Sequence, residues 1–282
     1  MPMKLGISTA SYFPRYYTED TFERIATLGA DVFELFFQSR SEYTDNYADL
    51  FEKKIEQACK IHPIKIHSIH SLTNQFEPEL FGLSTGRAHQ DAIETFRRIL
   101  HVGEKLGAKY YTLHGATILK RAVKYNLDYE KIGHRFNTLY DIAQEYGIKL
   151  CYENVHWTYY HTPDFLDKIR PYVNEIGTVL DIKQAMQSNM SIKQPKVVDY
   201  KDYLKVMGNT LETVHVCDYN SDGTTALPGK GIVDFVELFK LLKSYDFDGA
   251  VIMEVYTNNY KDDQELKESF EYLKSCLQKA EK

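Results

Sequence analysis

Short apolar runs in this 282-residue chain repeatedly end in a carboxylate or an imidazole. DVFELFF carries Glu34, IKIHSIH carries His67 and ends in His70, and KYYTLH ends in His114. IKLCYE ends in Glu153, EIGTVLD ends in Asp181, LETVHVC carries His215 and precedes Asp218, and GAVIMEV carries Glu254. Unpaired charge is costly in a dry interior, so packing alone does not account for the series. Carboxylate oxygens and imidazole nitrogens are hard-to-borderline ligands that suit Mn, Mg, Co or Zn.

The runs that carry these groups are Lys4–Thr9, Asp31–Phe37, Ile64–His70, Lys109–His114, Ile148–Glu153, Glu175–Asp181, Leu211–Cys217 and Gly249–Val255. Several are too apolar to have one wet face, as expected of parallel strands covered on both sides. Between them, Thr21–Leu28, Asp91–Leu106, Tyr129–Tyr146 and Phe235–Tyr245 have helical periodicity. Gly29, Gly107 and Gly147 follow such stretches, where a helix ends in the left-handed conformation. Eight strands alternating with helices predict a single-domain (β/α)8 TIM barrel over residues 1–282, a fold of about 250 residues. A doubly wound sheet would carry a Gly-rich phosphate loop after its first strand, and STASYFPRYY has none.

Chemistry in such barrels sits at the C-terminal strand ends. Parity places Gly177, Val179 and Asp181 on one face, and Ala250, Ile252 and Glu254 on another, each line ending in a titratable group. Glu153, Asp181, His215 and Glu254 lie on adjacent strands and can converge on a single divalent ion; a metal-free ion-pair network is the rival reading. His70 and His114 are expected to bind metal or face substrate. His67, three residues before His70, is expected to point to the other side of its strand. His156 and Trp157, in ENVHW, are expected to line the cleft. PGKG at 228–231, with Lys230, is either a phosphate site at a helix N-terminus or a tight turn.

Composition narrows the partners. Lys plus Arg number 34 against 40 Asp plus Glu, a net charge of −6, which disfavours a protein built on phosphate-backbone contacts. No signal segment or membrane-length apolar run is apparent, and four scattered cysteines without CxxC argue against a disulfide framework. A cytoplasmic protein with no nucleic-acid or membrane partner is therefore expected. The 22 tyrosines suggest aromatic-lined clefts or a homo-oligomeric interface.

In order along nearly the whole chain, KLGIST, SIHS, LGAKYYTLHG, KLCYENVHW, TVLDIKQA, TVHVCDYN, PGKG and VIMEV resemble the xylose-isomerase-like TIM-barrel superfamily of sugar isomerases and epimerases, inosose dehydratases and apurinic endonucleases. The resemblance implies a one-metal site at Glu153, Asp181, His215 and Glu254, with the two glutamates also serving as acid and base. It matches His70 and His114 to positions that bind additional zinc in the endonuclease branch. The chain departs where the family often has histidine: Gln184 stands three residues after Asp181, and 219–230 contains no histidine.

The expected activity is divalent-metal-dependent isomerisation or epimerisation of a small sugar or polyol ketone, through loss of a proton next to a carbonyl. A dehydratase would share that first step. Glu34, His70, His114, His156, Trp157, Gln184, Asp218 and Lys230 are expected to contact the carbohydrate. Specificity is expected in the loops Ser11–Tyr17, Leu72–Arg87 and Ala116–Tyr125. The alternatives are a metal-dependent phosphodiesterase of the apurinic-endonuclease type and a catalytically inactive sugar-binding barrel.

Overall fold

The computed structural model describes residues 3–71, 76–81, 86–118, 127–191 and 199–282. Of the three loops expected to set specificity, the parts at 72–75, 82–85 and 119–125 lie outside the described residues.

Each of the eight apolar runs contains a barrel strand: β1 (Lys4–Ser8), β2 (Val32–Phe37), β3 (Lys65–Ser71), β4 (Tyr110–Leu113), β5 (Lys149–Glu153), β6 (Gly177–Asp181), β7 (Leu211–Val216) and β8 (Ala250–Met253). All pair in parallel with their neighbours in chain order, and β8 closes on β1 from Lys4↔Ala250 to Ile7↔Met253. The connecting helices include α1 (Phe22–Leu28), α2 (Asp45–Ile61), α3 (Glu77–Phe81), α4 (Arg87–Lys105), α5 (Tyr129–Gln144), α6 (Asp164–Ile169), α7 (Ile182–Ser191), α8 (Tyr200–Met207), α9 (Phe235–Ser244) and α10 (Asp263–Glu281). The chain thus folds as a single (β/α)8 barrel. Gly29 and Gly107, at φ of +62° and +80°, turn α1 and α4 back toward the next strand. No helix among the described residues is long and apolar enough to cross a membrane.

The main apolar core lies outside the barrel. Outward residues such as Phe33, Ile69, Tyr111, Leu150, Leu180 and Val251 bury against helix residues including Phe96, Leu139, Phe235 and Phe270. Inside, Val32, Ala250 and Ile252 form a small separate plug near the N-terminal end, where Gly6 leaves them room. Above that plug the interior turns polar.

The register of β3 corrects one expectation. Phe33 pairs with Ile66, but Glu34 pairs with Ser68, so His67 is an extra residue at a β-bulge. The bulge resets the alternation. His67 points inward and its Nε2 lies 3.0 Å from Thr213 Oγ1 on β7, four strands away across the barrel.

Gly6 is where the packing of the plug can be tested. A Cβ there would come within 2.6 Å of the Val32 carbonyl oxygen and 2.7 Å of Ile252 Cδ1. Gly6→Ala is expected to destabilise the protein by about 2 kcal/mol. Urea denaturation should show a lower midpoint with an unchanged slope.

Candidate metal centre

β5, β6, β7 and the residue after β8 bring Glu153, Asp181, His215 and Glu254 to the C-terminal end of the barrel. Each offers a ligand atom, and these atoms all lie within 4.8 Å of one another. Register explains the convergence: Asp181 pairs with His215, His215 pairs with Ile252, and Glu254 N continues that ladder to Val216 O at 3.0 Å. Glu153 and His215 are 1% exposed and Asp181 likewise, so the set is nearly dry.

His215 is held at both ring nitrogens. Nε2 lies 3.0 Å from Glu34 Oε2, and Nδ1 lies 3.1 Å from Glu153 Oε1 and 3.9 Å from Glu254 Oε2. Glu34 is fully buried and its Oε2 also accepts from Ser68 Oγ and Thr112 Oγ1. The expectation that Glu34 touches substrate is therefore replaced by a place beneath the cluster, where it orients His215 with Nδ1 toward the carboxylates. Burial alone would raise the Glu34 pKa, but His215 and His70 outweigh it and hold it at about 2.

A second group shares Glu153: His70, His114 and Glu153 also offer ligand atoms within 4.8 Å of one another. His70 Nδ1 faces the Ser71 carbonyl at 2.9 Å and so carries the hydrogen, leaving Nε2 as an acceptor 3.0 Å from His114 Nε2. His114 Nε2 also lies 2.6 Å from Glu153 Oε2. Burial and His114 lower the His70 pKa, whereas Glu153 raises that of His114 against the burial penalty.

Asp181 ends β6 and starts α7 with no loop between them. Its Oδ1 accepts the Lys183 and Gln184 amides at 2.7 and 3.0 Å, so it caps the helix. The first turn of α7 consequently faces the site. Gln184 Oε1 accepts the His156 amide at 3.2 Å and meets His156 Nδ1, so these two expected substrate residues hold each other. Trp157 stands edge-on to His114 at 5.5 Å between ring centroids.

Sequence reasoning missed Lys183. It is 2% exposed, and its Nζ lies 3.1 Å from both Asp181 Oδ2 and Glu254 Oε2 and 2.8 Å from Tyr256 OH. Burial would lower its pKa, but Asp181 and Glu254 hold it well above the usual lysine value. Asn154 was also missed; its side chain bridges β5 to β6 through Asp181 N (2.8 Å) and Asp181 O (2.9 Å).

Two expected substrate contacts are corrected. Asp218 Oδ1 accepts Tyr219 N and Val233 N, and Oδ2 accepts Gly229 N and Gly231 N, all at 2.9–3.0 Å. Its carboxylate fills the anion nest of PGKG, so that loop is a turn clamped by its own acid and not a phosphate site. Lys230 is exposed and lines a separate cavity of about 300 Å³ with Leu227, Asn259 and Lys261. The aromatic loop after β1 lines a cavity whose walls include none of the four clustered residues. Phe13, Tyr16 and Tyr17 line a cavity of about 820 Å³ with Gln38, Glu42 and Tyr47, and Phe13 reaches His70 through Phe36.

The residues fit a divalent ion. Glu153 Oε2 and Asp181 Oδ2 are buried and accept no well-directed hydrogen bond, although His114 and Lys183 stand beside them. Three carboxylates and one imidazole form a mixed O/N donor set, and ligands at about 2.0–2.2 Å from a common ion lie up to about 4.4 Å apart.

Glu77, also missed, supports the site from behind. It is fully buried; Oε2 accepts His114 N and Gly115 N at 2.9 Å, and Oε1 accepts Tyr111 OH at 2.9 Å. Glu77→Ala strands two buried amides at the end of β4, and a loss of about 3 kcal/mol is expected. Glu77→Gln keeps an acceptor for both amides and should lose less than half of that. Thermal melts of the two variants check the ordering.

Comparison with known proteins agrees with this architecture. The sequence profile of the xylose isomerase-like TIM barrel family matches residues 22–276. An inosose dehydratase of Glaesserella parasuis serovar 5 (strain SH0165) is 22% identical over 163 residues, covering 51% of this chain and 52% of that protein. The chain thus spans about half the length of the inosose dehydratases it matches. An uncharacterised protein of Methanocaldococcus jannaschii is 24% identical over 290 residues, covering 99% of this chain and 92% of that protein. Among solved structures, a D-tagatose 3-epimerase-like protein superposes with a TM-score of 0.78 at 20% identity, covering 99% of this chain and 98% of that one. The IOLI protein with a zinc atom bound superposes at 0.74 and 20% identity, covering 99% of each chain. The chain belongs to the xylose isomerase-like TIM barrel family.

Proposed function

We propose that this protein is a divalent-metal-dependent isomerase or epimerase of a small polyhydroxy carbonyl compound. The observation that carries the reading is the meeting of Glu153, Asp181, His215 and Glu254 within 4.8 Å in a buried site at the barrel mouth. These four would hold the ion, which Mn, Mg, Co or Zn can supply. When bound, it polarises the substrate carbonyl and lowers the free energy of the charge left by a departing α-proton.

The remaining work falls to side chains. Asp181 is tied down by its cap and Lys183, and His215 by Glu34, so both serve to hold. Glu153 and Glu254 approach from β5 and β8; one takes the α-proton and the other returns one to the opposite face. Glu153 Oε2 lies 2.6 Å from His114 Nε2, which gives it a nearby proton partner. Trp157, His156 and the Phe13–Tyr17 loop wall the cleft. Loss of a hydroxyl after proton removal would make the same site a dehydratase, a reading favoured by the inosose dehydratase matches.

Incubation with a panel of ketoses and inososes in deuterated water is expected to place solvent deuterium at the reacting carbon, and metal analysis to find about one ion per chain. Glu153→Gln and Glu254→Gln are each expected to lower turnover at least about 100-fold. Turnover unchanged in both variants sinks the assigned roles. Appearance of an unsaturated ketone or its diketone tautomer identifies the dehydratase.

Protons and the ion compete for the same atoms. Asp181 is pushed up to about 6 by burial and by Glu153 and Glu254, with Lys183 opposing. Burial would lower the His215 pKa, but Glu34 and Glu153 outweigh it and raise it well above its usual value, which favours a proton on each ring nitrogen. The ion must displace one of them. Affinity for Mn²⁺ is therefore expected to fall as pH drops, most steeply below about 6 as Asp181 also protonates. Titrations from pH 5 to 8 check the slope, and a flat profile contradicts the ligand set.

A further inference from the structure

Lys183 has no part in the proton transfers, yet it lies against two of the four proposed ligands. Its ammonium donates to Glu254 Oε2 at 3.1 Å and to Tyr256 OH at 2.8 Å, and it pairs with Asp181 Oδ2 at 3.1 Å as an ion pair without a well-directed hydrogen bond. The Tyr256 ring also faces it at 4.7 Å. A buried ammonium is tolerated only when paired this fully. The two Asp181 oxygens differ in what they can still offer. Oδ1 already accepts two α7 amides, so Oδ2 is the atom for which Lys183 and an arriving ion contend.

We infer that Lys183 is a built-in cation of this site. It holds the Asp181 and Glu254 carboxylates together before an ion binds and, by sharing their oxygens, weakens the site's grip on that ion. The inference rests on Asp181 and Glu254 being metal ligands. Glu34, Glu153, Asp181 and Glu254 bring four carboxylates into one interior, and the lysine offsets one of them. A divalent ion held by the same oxygens would stand close to Nζ, and two cations repel in a poorly screened interior. Removing the lysine therefore leaves a more anionic pocket with looser walls. The metal-free protein loses stability and the ion regains it.

The test is a Mn²⁺ titration of the metal-stripped full chain by calorimetry, alongside its melting temperature with and without Mn²⁺. Lys183→Met is expected to bind Mn²⁺ at least about tenfold more tightly than the native chain. Its metal-free form should melt lower, and Mn²⁺ should raise its melting temperature by more than it raises the native one. Lys183→Arg, which keeps the charge, is expected to stay within about threefold of native affinity, a rescue that a packing role would not give. Lys183→Gln keeps a donor for the carboxylates and carries the comparison if the methionine variant does not fold. Equal or weaker Mn²⁺ binding in the neutral variants overturns the inference. If native binding is nevertheless abolished by Asp181→Asn, the proposed metal site itself stands. Absence of Mn²⁺ binding in the native and all variant chains overturns both.

Discussion

Four carboxylates share the upper interior of a closed ring of strands, and their mutual repulsion is the constraint that shapes everything around them. Glu34, Glu153 and Asp181 are at most 1% exposed. Unpaired carboxylates at such depth would unfold the end of the barrel or take up protons. The protein answers with cations and donors on every side. His215 sits between Glu34 and Glu153, His114 beside Glu153, and Lys183 between Asp181 and Glu254. The apolar plug of Val32, Ala250 and Ile252 closes the floor.

Positioning relies on a second device, a carboxylate or amide that accepts backbone N–H groups at a strand end. Asp181 caps α7, Glu77 holds the amides of His114 and Gly115, and Asp218 gathers the turn at 229–233. Asn154 ties β5 to β6 with both halves of its amide, Oδ1 accepting Asp181 N and Nδ2 donating to Asp181 O. These contacts fix the backbone from which the site's side chains project, so precision does not depend on the side chains alone.

That division explains what the sequence disclosed. The barrel and the convergence of Glu153, Asp181, His215 and Glu254 were legible because strand parity and strand order are both periodic. His67 was misplaced because a β-bulge breaks the alternation without leaving a mark in residue type. Asp218 was misread because an acid after a strand looks the same whether it meets a ligand or the chain's own amides. Lys183 escaped notice because a lysine is not a metal ligand and the neighbouring Gln184, where the family often has histidine, carried the signal in DIKQ. The abrupt passage from β6 into α7 carries the site one helical turn further, to the lysine between Ile182 and Gln184.

Glu153 belongs to two groups at once, and its two oxygens divide between them. Oε1 faces His215 Nδ1 at 3.1 Å, on the side of Asp181 and Glu254, whereas Oε2 faces His114 Nε2 at 2.6 Å. Glu254 has no imidazole so close; its nearest cation is the ammonium of Lys183, and its side chain is 14% exposed against 1% for Glu153. The two glutamates are thus chemically unequal. One is deep and paired with an imidazole whose Nε2 lies 3.0 Å from that of His70. The other opens toward the cleft and is held by a cation that keeps its own protons.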